Sequence, residues 1–151
     1  WHLAISGDLV LAGFRYLADG VWVVDVSDPD APVLAAELFP GQQVLGLDLH
    51  GHLAVIRAGN TAKLYDLTDP TAPVELADLT EGPGTSRQRF RFHERQGRVL
   101  VSNTSTTGDA YYVGGHAEVW DVSEPTTPVQ LLKPEPRQKP LIVYQPEALS
   151  D

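Results

Sequence analysis

The sequence predicts an all-β chain of three repeated four-stranded antiparallel units, and three observations carry that expectation. A nine-residue phrase occurs three times, as Asp25-Val-Ser-Asp-Pro-Asp-Ala-Pro-Val33, Asp66-Leu-Thr-Asp-Pro-Thr-Ala-Pro-Val74 and Asp121-Val-Ser-Glu-Pro-Thr-Thr-Pro-Val129. Between the copies lie short apolar runs punctuated by Gly, Asp, Asn and Pro, the pattern of strands and tight turns. No stretch reads as a helix.

The phrase has a local mechanism. An apolar run ends at Asp, and a Ser or Thr two residues on can bond nearby backbone N–H groups. The Asp-Pro or Glu-Pro pair then excludes helical backbone, because the residue before proline is pushed toward extended conformations. A second proline, at Pro32, Pro73 and Pro128, stops the turn from growing and starts the next strand where a missing N–H does no harm. The phrase is therefore a corner of constant length between two antiparallel strands. Acidic residues repeated in every unit are corner-makers before they are ligands or catalysts.

In chain order, the first unit opens with the hairpin His2–Ser6, Gly7-Asp8, Leu9–Ala12, continues into Val21–Val26 and, after the corner, into Val33–Leu38. The second repeats the plan with Val44–Leu49, a turn at Gly51, His52–Ile56, a tight Gly59-Asn60 connection, Ala62–Leu67 and Val74–Leu79. The third runs Gln88–His93, a turn at Gln96-Gly97, Arg98–Ser102, a polar segment Asn103–Gly115, then Ala117–Val122 and Val129–Leu132. Asp25 to Asp66 is 41 residues and Asp66 to Asp121 is 55. A period near 41 with four short strands per unit is the signature of four-stranded blades stacked about an axis, a β-propeller. The expected blades are residues 1–40, 41–86 and 87–132, followed by a proline-rich tail, 133–151, with one further possible strand at 141–144.

The runs Val21-Trp-Val-Val-Asp25, Lys63-Leu-Tyr-Asp66 and Glu118-Val-Trp-Asp121, each leading into the proline corner, resemble the LVIVD repeat, as does the hairpin Ile5-Ser-Gly-Asp-Leu-Val-Leu11. The resemblance covers residues 1–132 and departs in the third unit, where Ser123-Glu124 replaces Ser-Asp. It implies a bacterial or archaeal propeller of the exported or cell-surface kind, hence an extracytoplasmic location, and no common enzymatic activity. Three units fall short of the typical four to eight blades of a closed ring, about one more at least being needed. The expectation is a partial propeller completed by other residues, another chain or its own copy, with a monomer in isolation disfavoured by open strand edges. A chain starting at Trp1 is also expected to be a piece of something longer.

Composition narrows the partners. With 20 acidic against 11 basic residues the formal net charge is −9, which argues against a nucleic-acid surface. Hydrophobic content of 42% suits a globular core, and no apolar run approaches the ~20 residues of a membrane helix, so no membrane insertion is expected. The absence of cysteine excludes disulfides and thiolate metal sites.

Naming the strands of a unit A to D, the A–B and C–D turns fall on one face of the disc, and the B–C and D–A connections on the other. From turn glycine to corner aspartate the B–C stretch is 18, 15 and 24 residues, whereas the corner never changes length. Variable loops on a constant frame are where binding resides, so a protein partner is expected there. Its candidate contacts are Arg15, Tyr16, Asn103, Asp109, Tyr111, Tyr112 and His116, Tyr and Arg being the usual anchors of protein contacts. Arg87, Arg89 and Arg91 recur at period two on an innermost strand, with Phe90 and Phe92 on its other side. They can bind an anion in the channel or pair with acidic side chains.

His50, His52 and His93 have no carboxylate locked beside them, so neither a metal nor a cofactor is assigned. No nucleophile elbow, phosphate loop, dinucleotide fingerprint or zinc-protease motif occurs. The leading expectation is a non-catalytic interaction module. Its alternative is a fragment of a propeller enzyme or ligand-binding protein with an anion or metal in the channel.

Overall fold

The computed structural model describes residues 1–15, 20–80, 88–109 and 112–132, with side chains for all of these except 88, 105–109 and 112–116. The expected tail and its strand at 141–144 lie outside the described residues, as do Tyr16, Arg87 and Tyr111. Twelve strands and no helix occur among the described residues: β1 (His2–Ser6), β2 (Leu9–Gly13), β3 (Val21–Asp25), β4 (Val33–Leu38), β5 (Val44–His50), β6 (Leu53–Ala58), β7 (Thr61–Asp66), β8 (Val74–Asp78), β9 (Gln88–Arg95), β10 (Arg98–Asp109), β11 (Tyr112–Asp121) and β12 (Val129–Leu132). They form three four-stranded sheets in sequential order, β1–β4, β5–β8 and β9–β12, antiparallel throughout.

The corner works through its aspartate more than its hydroxyl residue. The Asp25, Asp66 and Asp121 carboxylates accept the backbone N–H of Ser27, Thr68 and Ser123 at 2.8, 2.8 and 3.0 Å. The hydroxyls of Thr68 and Ser123 donate to the same carboxylates, both at 2.7 Å. A second turn follows at each proline, closed by Ala31, Ala72 and Thr127 N–H donating to the carbonyls of Asp28, Asp69 and Glu124 at 3.0, 3.1 and 2.9 Å. At position 124 glutamate retains this main-chain closure, while at the other two corners the Asp28 and Asp69 carboxylates additionally accept the N–H of Asp30 and Thr71 at 3.1 and 3.0 Å.

These bonds make stability depend on acid. The Ser27 N–H holds Asp25 below the ordinary carboxylate range, and the Thr68 and Ser123 hydroxyls lead in doing so for Asp66 and Asp121. A depressed folded-state value contributes stability above the unfolded pKa of about 3.9, and that contribution is lost as pH falls through the folded values. The urea midpoint should therefore be level near neutrality and fall below about pH 4. The triple variant D25N/D66N/D121N keeps an acceptor oxygen at each corner, so it should fold at neutral pH with a shallower acid limb. An unchanged limb would remove the corners from the account.

A device absent from the sequence reading recurs in all three sheets. The C–D pairing skips one residue at the same place, so that Ala35, Leu76 and Leu131 bulge opposite Val23/Val24, Leu64/Tyr65 and Val119/Trp120. Such bulges bend and twist a strand, and here each falls on the outer strand of its sheet.

The sheets pack in chain order, with β5 beside both β1 and β9. Leu9, Leu11, Val21 and Val23 of the first sheet bury against Leu47, Leu49, Ala54 and Ile56 of the second. The opposite side of the second sheet, Val55, Ala62 and Leu64, buries against Phe90 and Val101 of the third. Register makes the geometry explicit. Leu9, Leu53 and Leu100 each pair with their corner aspartate, so Leu3, Leu47 and Phe90 are equivalent, and so are Ile5, Leu49 and Phe92. The front of each sheet thus meets the back of the next. Leu47 and Phe90 are 5% and 2% exposed, whereas Leu3, with no sheet of the described residues across from it, is 67% exposed.

Two expectations need correction. Within Asn103–Gly115 the described residues 103–109 and 112–115 are strand and not loop: β10 and β11 pair from Leu100↔Asp121 out to Asp109↔Tyr112, carrying a two-stranded ribbon beyond Ser105, where pairing with β9 ends. Threonine-rich polar sequence pairs as a strand when a neighbouring backbone is available. Against the expectation that length varies only among the B–C and D–A connections, the A–B side varies too. The β9–β10 hairpin continues past His93↔Leu100 to Arg95↔Arg98, whereas the equivalent pairs Ser6↔Leu9 and His50↔Leu53 close their turns directly.

Candidate functional site

Among the described residues, three buried side chains are polar or charged: Arg57 at 1%, Asn103 at 2% and Glu118 at 4% exposure. All three lie where the second and third sheets meet, toward the end bearing the B–C connections. β6 carries Arg57 on its front, two residues beyond Val55 in the core between these sheets. β10 and β11 present Asn103 and Glu118 as a cross-strand pair on the back of the third sheet, beside Phe90. The Asn103 Nδ2 donates to Glu118 Oε2 at 3.1 Å.

Repeat equivalence makes Arg57 distinctive. Its counterpart in the first sheet is Gly13, since Gly13 pairs with Val21 as Arg57 pairs with Ala62. A Cβ on Gly13 would lie 2.8 Å from both Leu47 Cδ2 and Val44 Cγ1, so that junction closes tightly on apolar atoms. In the next junction the same position holds a guanidinium. Its burial favours loss of the proton, and the charges of Glu118 and then Asp78 oppose that. The Nε and Nη2 groups of Arg57 have no hydrogen-bond partner among the described residues, although the side chain is buried. A buried donor left unpaired is costly, and a buried charge more so.

The sequence-derived residues divide. Asn103 belongs to this buried cluster, facing the second sheet, and is not a surface contact. Asp109, Tyr112 and His116 lie on the projecting ribbon, at Asp109↔Tyr112 and Ser105↔His116. Arg15 is half-buried and follows the buried Phe14, just beyond the end of β2. Tyr16, Tyr111 and Arg87 lie outside the described residues.

The arginines of β9 alternate with its phenylalanines as expected, Arg89 being exposed and Phe90 buried. Arg91 donates to the Phe90 carbonyl at 3.1 Å and lies 3.7 Å from the Asp48 carboxylate. Asp48 in turn accepts the Phe92 N–H at 2.8 Å, which stitches β5 to β9. With the Arg91 side chain 58% exposed, that ion pair adds little stability.

The histidines also have structural neighbours. The His50 ring lies 5.8 Å from Phe92, and His93 Nε2 bonds Ser102 Oγ at 2.8 Å. No group of three or more His, Cys, Asp or Glu spaced for a metal occurs among the described residues. On the opposite face, an open crevice of about 360 Å³ lies between the first and second sheets, lined by Ser6, Asp8, Asp25, His52 and Thr68.

Sequence reasoning missed Arg57 and Glu118. The available signal was a lone charge inside the apolar run Leu53-Ala-Val-Ile-Arg-Ala58, at a position occupied by glycine in the preceding repeat. No protein-family model matches this sequence, and no curated protein matches it.

Proposed function

We propose that these three sheets are consecutive blades of a larger β-propeller of the LVIVD-repeat kind, and that the module binds a protein partner through the face bearing the B–C connections. Front-to-back packing, the bulge repeated in each sheet and the uncovered positions Leu3 and Ile5 support the first part. A further blade with an apolar front, like those of the first two sheets, fits that uncovered back. The front of the third sheet differs, since Ser102 stands where Leu11 and Val55 are buried. The extracytoplasmic placement rests on the repeat resemblance alone.

The observation that carries the binding reading is the β10–β11 ribbon, which extends past the rest of its sheet on this face and bears Asp109, Tyr112 and His116. A ribbon that runs past its sheet can present side chains, or pair along an edge, without disturbing the core. An anion held by the β9 arginines has less support, because Arg91 already faces Asp48.

A photo-crosslinking residue at position 112, introduced into the protein in its native setting, should yield discrete adducts with one protein species. The same residue at position 70, on the corner face, should not. Replacing Tyr111 and Tyr112 with alanine should weaken the complex and leave the circular dichroism unchanged. Adducts formed at position 70 and not at 112 would overturn the assignment of the face.

A further inference from the structure

We propose that Arg57 is the anchor of a carboxylate-binding site at the ribbon end of the junction between the second and third sheets, and that the docking partner supplies the carboxylate. This deepens the proposed function and rests on its assignment of the binding face.

The argument begins with which donors are left over. Nε and Nη2 of Arg57 form one edge of the guanidinium, the edge whose two parallel N–H vectors match the two oxygens of a carboxylate. They are the same two that have no partner among the described residues, within a side chain 1% exposed. An arginine kept only to fill space between sheets would place that edge on carbonyls or on Glu118. Here Glu118 accepts instead from Asn103, and Arg57 interacts with Glu118 and Asp78 by charge alone.

Those two acids also set the selectivity. A doubly charged phosphate meets more repulsion from Glu118 and Asp78 than a carboxylate of single charge, while a cation adjoining the carboxylate on the partner is favoured. The repeat comparison supports specialisation of this junction: Gly13, at the equivalent position, closes the preceding one against Val44 and Leu47. β6 ends one residue beyond Arg57, at Ala58. The site therefore sits at the binding end of the sheet, close to the start of the ribbon.

The test uses the full 151-residue chain, with ¹⁵N labelling to observe the arginine Nε–H resonances, titrated with sodium acetate against sodium chloride and phosphate at matched ionic strength. The Arg57 resonance, assigned by its loss in R57K, should shift saturably with acetate in the millimolar range and less with phosphate. Glu118→Gln should tighten acetate binding several-fold, because it removes a like charge and retains an acceptor for Asn103. A purely structural Arg57–Glu118 contact predicts no such gain.

R57K keeps the charge without the fork and should lower acetate affinity at least about tenfold, as read by thermal shift. Acetyl-aspartyl amide and acetyl-triglycine separate the two sources of the group, a side chain and a chain terminus, by which one shifts the resonance at lower concentration. No saturable shift with acetate, or equal shifts with chloride, would overturn the proposal and leave an internal polar joint. Crosslinking at position 112 would then still stand or fall separately, since the acetate titration needs no partner.

Discussion

Leu47→Ala should destabilise the chain by about 2–5 kcal/mol, whereas Leu3→Ala, at the same repeat position, should cost the monomer less than about 0.5 kcal/mol. Leu47 is 5% exposed and packs in the core between the first two sheets, so truncation leaves a cavity whose lining loses its contacts. Leu3 is 67% exposed and has no such lining. Against a total stability of about 5–15 kcal/mol for a domain, the first loss is large. Urea unfolding of the two variants measures the contrast. Ile56→Ala, fully buried in the same core, should behave as Leu47→Ala does. Equal costs at positions 3 and 47 would mean that the back of the first sheet is already covered.

The second large effect concerns association. Cross-strand register puts Leu3, Ile5, Val10, Ala12, Trp22 and Val24 on one face of the first sheet. Leu3 and Ile5 are 67% and 63% exposed and Trp22 is 38% exposed. Contiguous apolar surface of this kind marks an interface, and the back faces of both other sheets are buried. The isolated chain should therefore self-associate at micromolar concentration in sedimentation velocity. The double variant L3E/I5E should sediment as a monomer with an unchanged circular dichroism spectrum, because burying two glutamates costs more than the apolar contact returns. Thr104→Glu, on the exposed front of the third sheet, should leave association as it is. A wild-type chain that stays monomeric would count against the larger ring.

How much of this was legible beforehand depends on the range of the chemistry involved. The corner at Asp66-Leu-Thr-Asp-Pro could be read from sequence because each part acts within a few residues and proline restricts its own neighbour. The carboxylate, however, and not the hydroxyl expected to bond the backbone, takes the N–H two positions on. The two-residue turns were equally local. Gly7 and Gly51 take positive φ at the first turn position, and Gln96-Gly97 does so at both, so a different turn type closes the third hairpin. The polar run after Ser102 gives no strand signal in the sequence because its pairing is made by backbone, which apolar patterning does not report.

The sequence by itself determined the twelve strands' approximate places, the three corners and the alternation that separates two faces in each sheet. Only the tertiary structure decided which face meets which, where the bulges fall, and that Arg57, Asn103 and Glu118 share one buried junction. The reason is physical. Alternation along a strand reports that one side avoids water, but what a side chain meets on that side is supplied by residues tens of positions away. Gly13 and Arg57 occupy one repeat position, and neither can be interpreted until the sheet across from it is in place.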